Sequence, residues 1–345
     1  MVRLDMELIR GIKRWFYQSI KRHTWRYGWQ ALDYGVILPL MARLPLTWAY
    51  RVADWRGAFN ARRARDWAEL SVGFAYIGER SAQAFREILP KASPVEIAGL
   101  VVQRYQTVAR EELEGLLAIR GRLDEIQMEL GPIRETLSQR TAGRGLVVVM
   151  SHFDNLFLGL TGIARCGLPT YLMTSDIVQD SRVHPKVRQF FADKYRCYVK
   201  RMAGGEFLPT STSARDKFYA VLRHGGVVVV ISETPASPDK DKGTWVSWMG
   251  KRRKMADSAL RMALDTGSQM VGMRNRQVSP GHIAWQWSDL ITPEHFQQYG
   301  NSTAREMIYA PIFAFLEAGI KADPGRWWAA HLLGDFAVQE GGHDA

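Results

Sequence analysis

Short apolar runs separated by amphipathic stretches recur along the second half of the chain. Four runs of five mainly apolar residues are typical of strands buried on both faces: 146–150, 169–173, 227–231 and 269–273. Residues 283–287 alternate apolar and polar positions and predict an edge strand. Helical patterns lie between the strands, at 184–196, 212–223 and 258–265. Strands that alternate with helices predict an α/β fold with a central, mostly parallel sheet flanked by helices.

The first part of the chain is patterned as helices. Residues 44–120 form one helical stretch, a loop bracketed by Pro90 and Pro94, and a second helix at about 94–120. A polar link then precedes the first predicted strand. We therefore divide the chain into four parts: a membrane-anchoring segment 1–43, a helical region 44–140 that packs on the core, an α/β core 141–335 and a tail 336–345.

The N-terminal segment combines a helical apolar pattern with positive charge. Its first thirty residues predict an amphipathic helix with a basic side. The formal net charge of the chain is +11, and residues 1–70 carry 13 Lys or Arg against 6 Asp or Glu, together with half of the tryptophans. This composition is typical of a helix lying in a membrane interface, although a helix packed on the protein's own core with a solvated basic face would share it.

The chain shows no segment that predicts a membrane crossing. Its longest apolar run, 34–42, contains Pro39 and is shorter than the about 20 residues that a spanning helix needs. No candidate apolar region of a signal peptide is free of charges. We therefore expect the chain to lie on a membrane as a peripheral or monotopic protein and not to cross it.

His152 is the first candidate for chemistry, because it directly follows the strand 146–150. Ligands of parallel sheets bind at the carboxyl ends of the strands, and a histidine there is well placed to act as a general base. A hydrogen-bonded structural histidine at a strand end is the alternative. The two cysteines form no disulfide framework, and no Cys and His cluster has the spacing of a zinc site, so no metal is expected.

Several sequence blocks around His152 resemble one protein family. The run His152-Phe153-Asp154-Asn155 resembles the first four positions of the HFGNWE-like motif of the lipid A late acyltransferases, a form of the H-x4-D/E motif of the lysophospholipid-acyltransferase-like superfamily. Three further blocks resemble family segments in the same order: Leu44-Pro45-Leu46 with the basic run up to Arg65, residues 244–251, and residues 323–331. Together the blocks cover about residues 40–335.

The chain departs from this family where the motif acid is expected. Phe157 occupies the acid position, and Ser232-Glu233 stands where the family commonly has Asp-Gln. In the family the acid is understood to orient the histidine and to stabilise its charge. Asp154 and Glu233 are therefore the candidate replacements, and a solvated or capping carboxylate is the alternative for each.

The resemblance implies transfer of a fatty acyl group from a thioester to a hydroxyl or amine of a lipid or glycolipid. The donor would be acyl carrier protein or acyl-coenzyme A, with no other cofactor. A basic helical stretch offers candidate donors to the thioester oxygen, although a solvated face would have the same composition: Arg182, Arg188 and Arg201. Asn155 and Lys251 are the other candidate substrate-binding residues. Lys251 belongs to a basic cluster that either meets a carrier protein or a phosphate, or is ordinary solvated charge.

Three functions remain open at this stage. The first is an acyltransferase at the cytoplasmic face of a bacterial inner membrane. The second is a non-catalytic relative that binds a lipid or a carrier protein, expected if no carboxylate meets His152. The third is a basic nucleic-acid-binding protein, although the chain contains no helix-turn-helix, zinc-finger or RNP-type signature, so nucleic acid is not an expected partner.

Overall fold

A computed structural model describes residues 27–71, 76–174, 177–209, 212–236, 243–296 and 298–339. Most of the amphipathic helix predicted for the first thirty residues therefore lies outside the described residues. No helix within the described residues combines the length and the apolar character needed to span a membrane.

Seven strands form one sheet in the order β1-β9-β8-β2-β5-β3-β4, and two more form a separate hairpin, β6-β7. All pairs in the large sheet are parallel except β8 with β9. The strands are β1 (Gln127–Met128), β2 (Leu146–Met150), β3 (Thr170–Thr174), β4 (Phe207–Pro209), β5 (Val227–Ile231), β6 (Thr244–Trp248), β7 (Lys251–Met255), β8 (Gln269–Ser279) and β9 (His282–Trp287). The predicted mostly parallel sheet is confirmed.

Helices cover both faces of this sheet. A π-helix, Asp33–Ile37, continues the helical stretch 27–32. The α-helices are α1 (Leu38–Met41), α2 (Leu46–Arg62), α3 (Trp67–Ser71), α4 (Ile77–Ile88), α5 (Pro94–Ile119), α6 (Gly131–Ser138), α7 (Leu156–Arg165), α8 (Pro185–Val199), α9 (Thr212–Arg223), α10 (Ser258–Thr266) and α11 (Asn301–Ala322). Short 3₁₀ helices lie at Leu123–Glu125, Pro293–Phe296, Pro324–Arg326 and Ala330–Asp335.

The core has two halves, one on each face of the sheet. In β2, Leu146, Val148 and Met150 pack into the half formed with α2, α5, α7 and α8. Val147 and Val149 pack into the other half, with α4, α9, α10 and α11. Because successive side chains of a strand point to opposite faces, a strand covered on both sides is apolar at every position.

The sequence patterns locate β2, β5 and α9 at their observed bounds, and β3, α8 and α10 within three residues. Predicted strand 269–273 is only the first part of β8, which continues to Ser279 with polar residues paired to β9. The patterns do not predict β1, β4, the β6-β7 hairpin, α6, α7 or α11. The hairpin carries Lys251, Arg252 and Arg253 in succession, so its sequence does not resemble that of a buried strand.

Two of the predicted boundaries cut across paired backbone. The region 44–140 was expected to be helical, but it contains β1, which pairs with β9 at the edge of the sheet. The tail was expected to begin at 336, yet its first residues bond to β7: the Lys254 N–H donates to the Ala337 carbonyl at 3.0 Å, and the Gln339 N–H donates to the Arg252 carbonyl at 3.0 Å.

Candidate active site

His152 and Glu233 meet because of the register between two neighbouring parallel strands. Met150, the last residue of β2, pairs with Ile231, the last residue of β5. His152 and Glu233 each lie two residues beyond these partners, so both emerge at the same edge of the sheet. His152 Nδ1 lies 2.9 Å from Glu233 Oε1. The structure thus brings together two of the three residues predicted to be catalytic.

The Glu233 carboxylate is completely buried and receives hydrogen bonds on both oxygens. Oε1 accepts from the backbone N–H of His152 as well as contacting Nδ1, and Oε2 accepts from Trp327 Nε1 at 2.6 Å. A carboxylate can accept at both oxygens, so these partners suit an ionised Glu233 that orients the imidazole through Nδ1. The arrangement is that of a histidine supported by an acid, leaving Nε2 for proton transfer.

The segment 326–328 holds the backbone of the residues around His152. The Trp328 N–H donates to the His152 carbonyl at 3.1 Å, and the Asp154 N–H donates to the Arg326 carbonyl at 3.2 Å. The Trp328 ring packs edge-on against the imidazole, with 4.4 Å between ring centroids. The block 323–331, noted from the sequence, therefore contacts both His152 and its acid partner.

Asp154, the second candidate acid, bonds to other groups. Its backbone has φ 49°, in the left-handed region that Asp tolerates better than most residues. Its Oδ2 accepts from the Gln277 N–H at 3.0 Å and from Arg326 Nη1 at 3.0 Å. Burial raises the pKa of Asp154, while the nearby Arg326 charge acts in the opposite direction. These contacts make Asp154 a support for the turn after His152.

Asn155 was expected to contact substrate, but its side chain is buried and acts as the N-cap of α7. Its Oδ1 accepts from the Phe157 N–H at 2.8 Å and from the Leu158 N–H at 3.3 Å, and its Nδ2 donates to Glu114 Oε2 at 2.5 Å. Burial raises the pKa of Glu114 to about 7, against hydrogen bonds from Tyr50 and Asn155 that lower it. Asn155 therefore fixes the start of α7 and ties it to α5.

His152 lines a cavity of about 510 Å³ at the carboxyl ends of β2, β3 and β5. Most of its wall is apolar or aromatic, including Leu156, Phe157, Leu172, Met173, Ile177, Phe191, Tyr195, Val230, Ile231, Trp328 and Leu332. Phe157, at the position of the motif acid, packs face to face with Tyr198 at 5.2 Å between centroids and forms part of this wall. A large apolar cavity beside a few convergent polar groups is typical of a ligand site.

Two buried ion pairs supply charge at the cavity wall. Lys194 Nζ pairs with Glu111 and lies 3.9 Å from the centroid of the Phe157 ring. Arg104 Nη1 pairs with Asp66 at 2.5 Å, and Arg104 Nε donates to the Trp328 carbonyl at 3.0 Å. These four residues were not predicted from the sequence. The sequence of α5 did contain a signal for two of them. Positions 104, 108 and 111 lie on one face of the helix, and two of the three are charged although the face is otherwise apolar.

His331 also lines the cavity, close to the Arg104–Asp66 pair. Burial and then the Arg104 charge lower the pKa of His331 to about 3, so this imidazole is neutral near pH 7. Burial alone would raise the pKa of Asp66, but the charge and hydrogen bond of Arg104 outweigh that effect and leave the pKa lowered. His152, which also lines the cavity, has the Glu233 carboxylate 2.9 Å from its ring Nδ1.

The remaining predicted substrate-binding residues lie away from the cavity. Arg182 is exposed and pairs with Asp180, Arg201 pairs with Asp124 at 3.2 Å, and Lys251 pairs with Glu87 at 2.7 Å. Arg188 is half-buried on α8. All four lie in the described part of the chain, and the cavity wall contains none of them. Of the residues that the structure describes, Lys194 and Arg104 are the cations that reach the cavity. Within the described residues, no three His, Cys, Asp or Glu side chains form a group able to hold a metal ion.

Comparisons with known proteins give a weak structural likeness. No protein-family model matches the chain, and no curated protein sequence matches it. Among solved structures, the chain is similar to the 1-acyl-sn-glycerophosphate (LPA) acyltransferase, PlsC, from Thermotoga maritima, with a TM-score of 0.35 and 16% sequence identity over 82% of this chain and 99% of that chain. A likeness of this size is too weak to assign a family or an activity. The resemblance to the lipid A late acyltransferases stays a prediction.

Proposed function

We propose that this chain is an acyltransferase that moves a fatty acyl group from a thioester to a hydroxyl or amine of a lipid or glycolipid. The observation that carries the proposal is the hydrogen-bonded His152–Glu233 pair at the wall of a large apolar cavity. A non-catalytic relative would not need a fully buried carboxylate held against the imidazole, because burying a charge is costly unless it serves a paired group.

In the proposed reaction, His152 Nε2 takes the proton of the acceptor hydroxyl or amine. The acceptor oxygen or nitrogen forms a bond to the thioester carbonyl carbon, and the carbon–sulfur bond then breaks. The imidazolium returns its proton to the departing thiolate, so the products are an ester or amide and a free thiol. Glu233 stabilises the imidazolium throughout, and the donor is acyl carrier protein or acyl-coenzyme A.

The cavity suits the acyl chain of such a donor. Ligand pockets commonly measure about 300–1,000 Å³, and the volume of about 510 Å³ lies within that range. Among the described residues, the cations at the cavity wall are each neutralised by a carboxylate, Lys194 by Glu111 and Arg104 by Asp66. A cavity with apolar walls and compensated charge favours an uncharged chain over a headgroup.

Exposed apolar side chains support a site on a membrane surface. Leu32, Val36 and Leu40 follow one another at intervals of four residues along the helical stretch 27–41, and all are exposed. On α2, Trp48 and Trp55 lie seven residues apart on one face and are 58% and 67% exposed. Trp side chains beside basic residues suit the boundary between anionic headgroups and acyl chains. The proposed location is the cytoplasmic face of a bacterial inner membrane.

Acyl transfer by the detergent-purified full chain tests the proposal. The donors are labelled acyl carrier protein and labelled acyl-coenzyme A, and the acceptor is a total bacterial lipid extract. His152→Ala should lower the rate by about 10²–10⁴-fold, the usual contribution of a general base. The exposed His295→Ala is the matched control and should keep the wild-type rate.

Two outcomes would contradict the proposal. Transfer that survives His152→Ala unchanged would exclude His152 as the base. A wild-type chain that transfers nothing from either donor, while binding liposomes or carrier protein, would favour the non-catalytic alternative. Membrane association is tested separately by co-sedimentation with anionic and zwitterionic vesicles, where Trp48→Ser with Trp55→Ser should weaken binding and Tyr299→Ser should not.

A further inference from the structure

Trp327 is fully buried, and its indole N–H bonds to the acid of the candidate dyad. Its indole Nε1 donates to Glu233 Oε2 at 2.6 Å, and its ring packs against Trp248 with 6.1 Å between centroids. An indole N–H is always a donor and cannot accept. Glu233 Oε2 therefore faces a hydrogen-bond donor in every protonation state of His152.

We propose that Trp327 is the positioning residue that fixes the tautomer of His152 by keeping Glu233 Oε2 unprotonated and its carboxylate in one orientation. This inference rests on the proposed function, in which His152 is the general base. Trp327 acts through Glu233 and touches no reacting atom, so it is not a catalytic residue.

The hydrogen-bond partners of Glu233 explain the effect. With Trp327 donating to Oε2, a proton on the carboxyl group would have to reside on Oε1. Oε1 already receives the backbone N–H of His152, whose hydrogen cannot be moved or removed. The proton between Oε1 and the imidazole therefore stays on Nδ1, which leaves the lone pair on Nε2 for the acceptor.

Trp327 is itself held in register with the residues that it controls. Phe153 and Trp327 form an antiparallel bridge, with the backbone bonds of His152 to Trp328 and of Asp154 to Arg326 on either side. The segment that carries the indole is thus hydrogen-bonded to the segment that carries His152. This backbone pairing holds the donor and the histidine in a fixed relation, so the geometry of the dyad is maintained.

The chain offers a matched control for the experiment. Trp248 is equally buried, packs on Trp327 and Phe313, and has a ring N–H for which the described residues provide no hydrogen-bond partner. Trp248→Phe and Trp327→Phe remove the same atoms from the same cluster. Only Trp327→Phe removes a hydrogen bond to Glu233.

The test combines kinetics with NMR of the full chain labelled with ¹⁵N-histidine. His152 is assigned from the His152→Ala spectrum, and its ring nitrogen shifts report the tautomer without any need for activity. In the wild type and in Trp248→Phe we expect the Nδ1–H form. In Trp327→Phe we expect a mixture of tautomers, a kcat lower by about 10-fold or more, and a KM within about threefold of wild type, because one donor to a charged group is worth about 1.5–3 kcal/mol.

Replacing Trp327 with benzothienylalanine keeps the shape of the ring and removes only the N–H, so it decides the question if Trp327→Phe does not fold. A wild-type tautomer or a wild-type kcat in the folded variant would overturn the inference. Failure of the proposed function is a separate result: it would appear as wild-type transfer by His152→Ala, or as no transfer by the wild type.

Discussion

The exchange of Glu233 for Gln should remove most of the chemistry while leaving substrate binding intact. With His152 in the proposed tautomer, three donors converge on the two carboxylate oxygens of the wild type: the His152 backbone N–H, the Nδ1–H and the Trp327 indole. A Gln amide has only one oxygen to offer. In one orientation its NH₂ group faces Trp327, and in the other it faces His152, where it favours the tautomer that cannot act as a base.

The size of the effect follows from the lost support of the imidazolium. Without the Glu233 charge, kcat should fall by about 10²–10⁴-fold, because the general base loses its support. This fall equals an increase of about 3–5 kcal/mol in the activation free energy. Because Glu233 is completely buried behind His152, it does not contact substrate, and KM should change by less than about threefold. The assay is initial-rate acyl transfer across a range of donor concentrations, with the folded fraction measured by circular dichroism.

Asp154→Asn is the comparison that makes this prediction discriminating. Asp154 accepts from Arg326 and from the Gln277 N–H, so losing its charge should cost roughly 1–3 kcal/mol in the free energy of unfolding. Its kcat, measured on folded protein, should remain within about tenfold of wild type. If Asp154→Asn lowers kcat more than Glu233→Gln does, the assignment of Glu233 as the acid partner is wrong.

Three further predictions concern charge. The pKa of Glu114 is near 4.5 in the unfolded chain and about 7 in the folded protein, so its contribution to stability falls by about 3 kcal/mol as the pH rises from 4.5 to 7. In urea titrations, the unfolding free energy of Glu114→Gln relative to wild type should therefore rise with pH. A difference that stays constant with pH would contradict the argument from burial. Lys194→Met should destabilise the fold by about 3–5 kcal/mol by leaving Glu111 unpaired, and adding Glu111→Gln should restore most of this in chemical denaturation. Arg182→Ala should keep kcat within about twofold of wild type, since Arg182 is exposed and paired with Asp180. A larger loss of kcat would indicate that Arg182 contributes to the active site.

The local patterns were reliable where one physical cause dominates. Residues 146–150 and 227–231 are apolar at every position because each strand is covered on both faces, and both strands lie where the pattern predicts. The hairpin around Arg253 was missed because its charges pair with groups distant in sequence, such as Glu87. A pattern of local hydrophobicity does not register such partners.

The residues of the candidate site were likewise predicted only in part. His152 was identified from its position after a buried strand, and Glu233 was one of two carboxylates left open. Asn155 and the arginines were expected at the substrate, but Asn155 caps α7, and the arginines lie away from the cavity. Residue type indicates what a side chain can do, whereas its partners depend on how the strands and helices pack.

The sequence by itself determined the order and type of several core elements, among them β2, β3 and β5, and the strand end that carries His152. Periodicity and burial are local properties, so they can be read from neighbouring residues. Only the tertiary structure decided between Asp154 and Glu233. Asp154 is two residues from His152 but turns towards Arg326, whereas Glu233, 81 residues away, meets the imidazole because β2 and β5 are parallel neighbours in one register. Strand register is set by the packing of the whole sheet, which no single segment of the chain encodes.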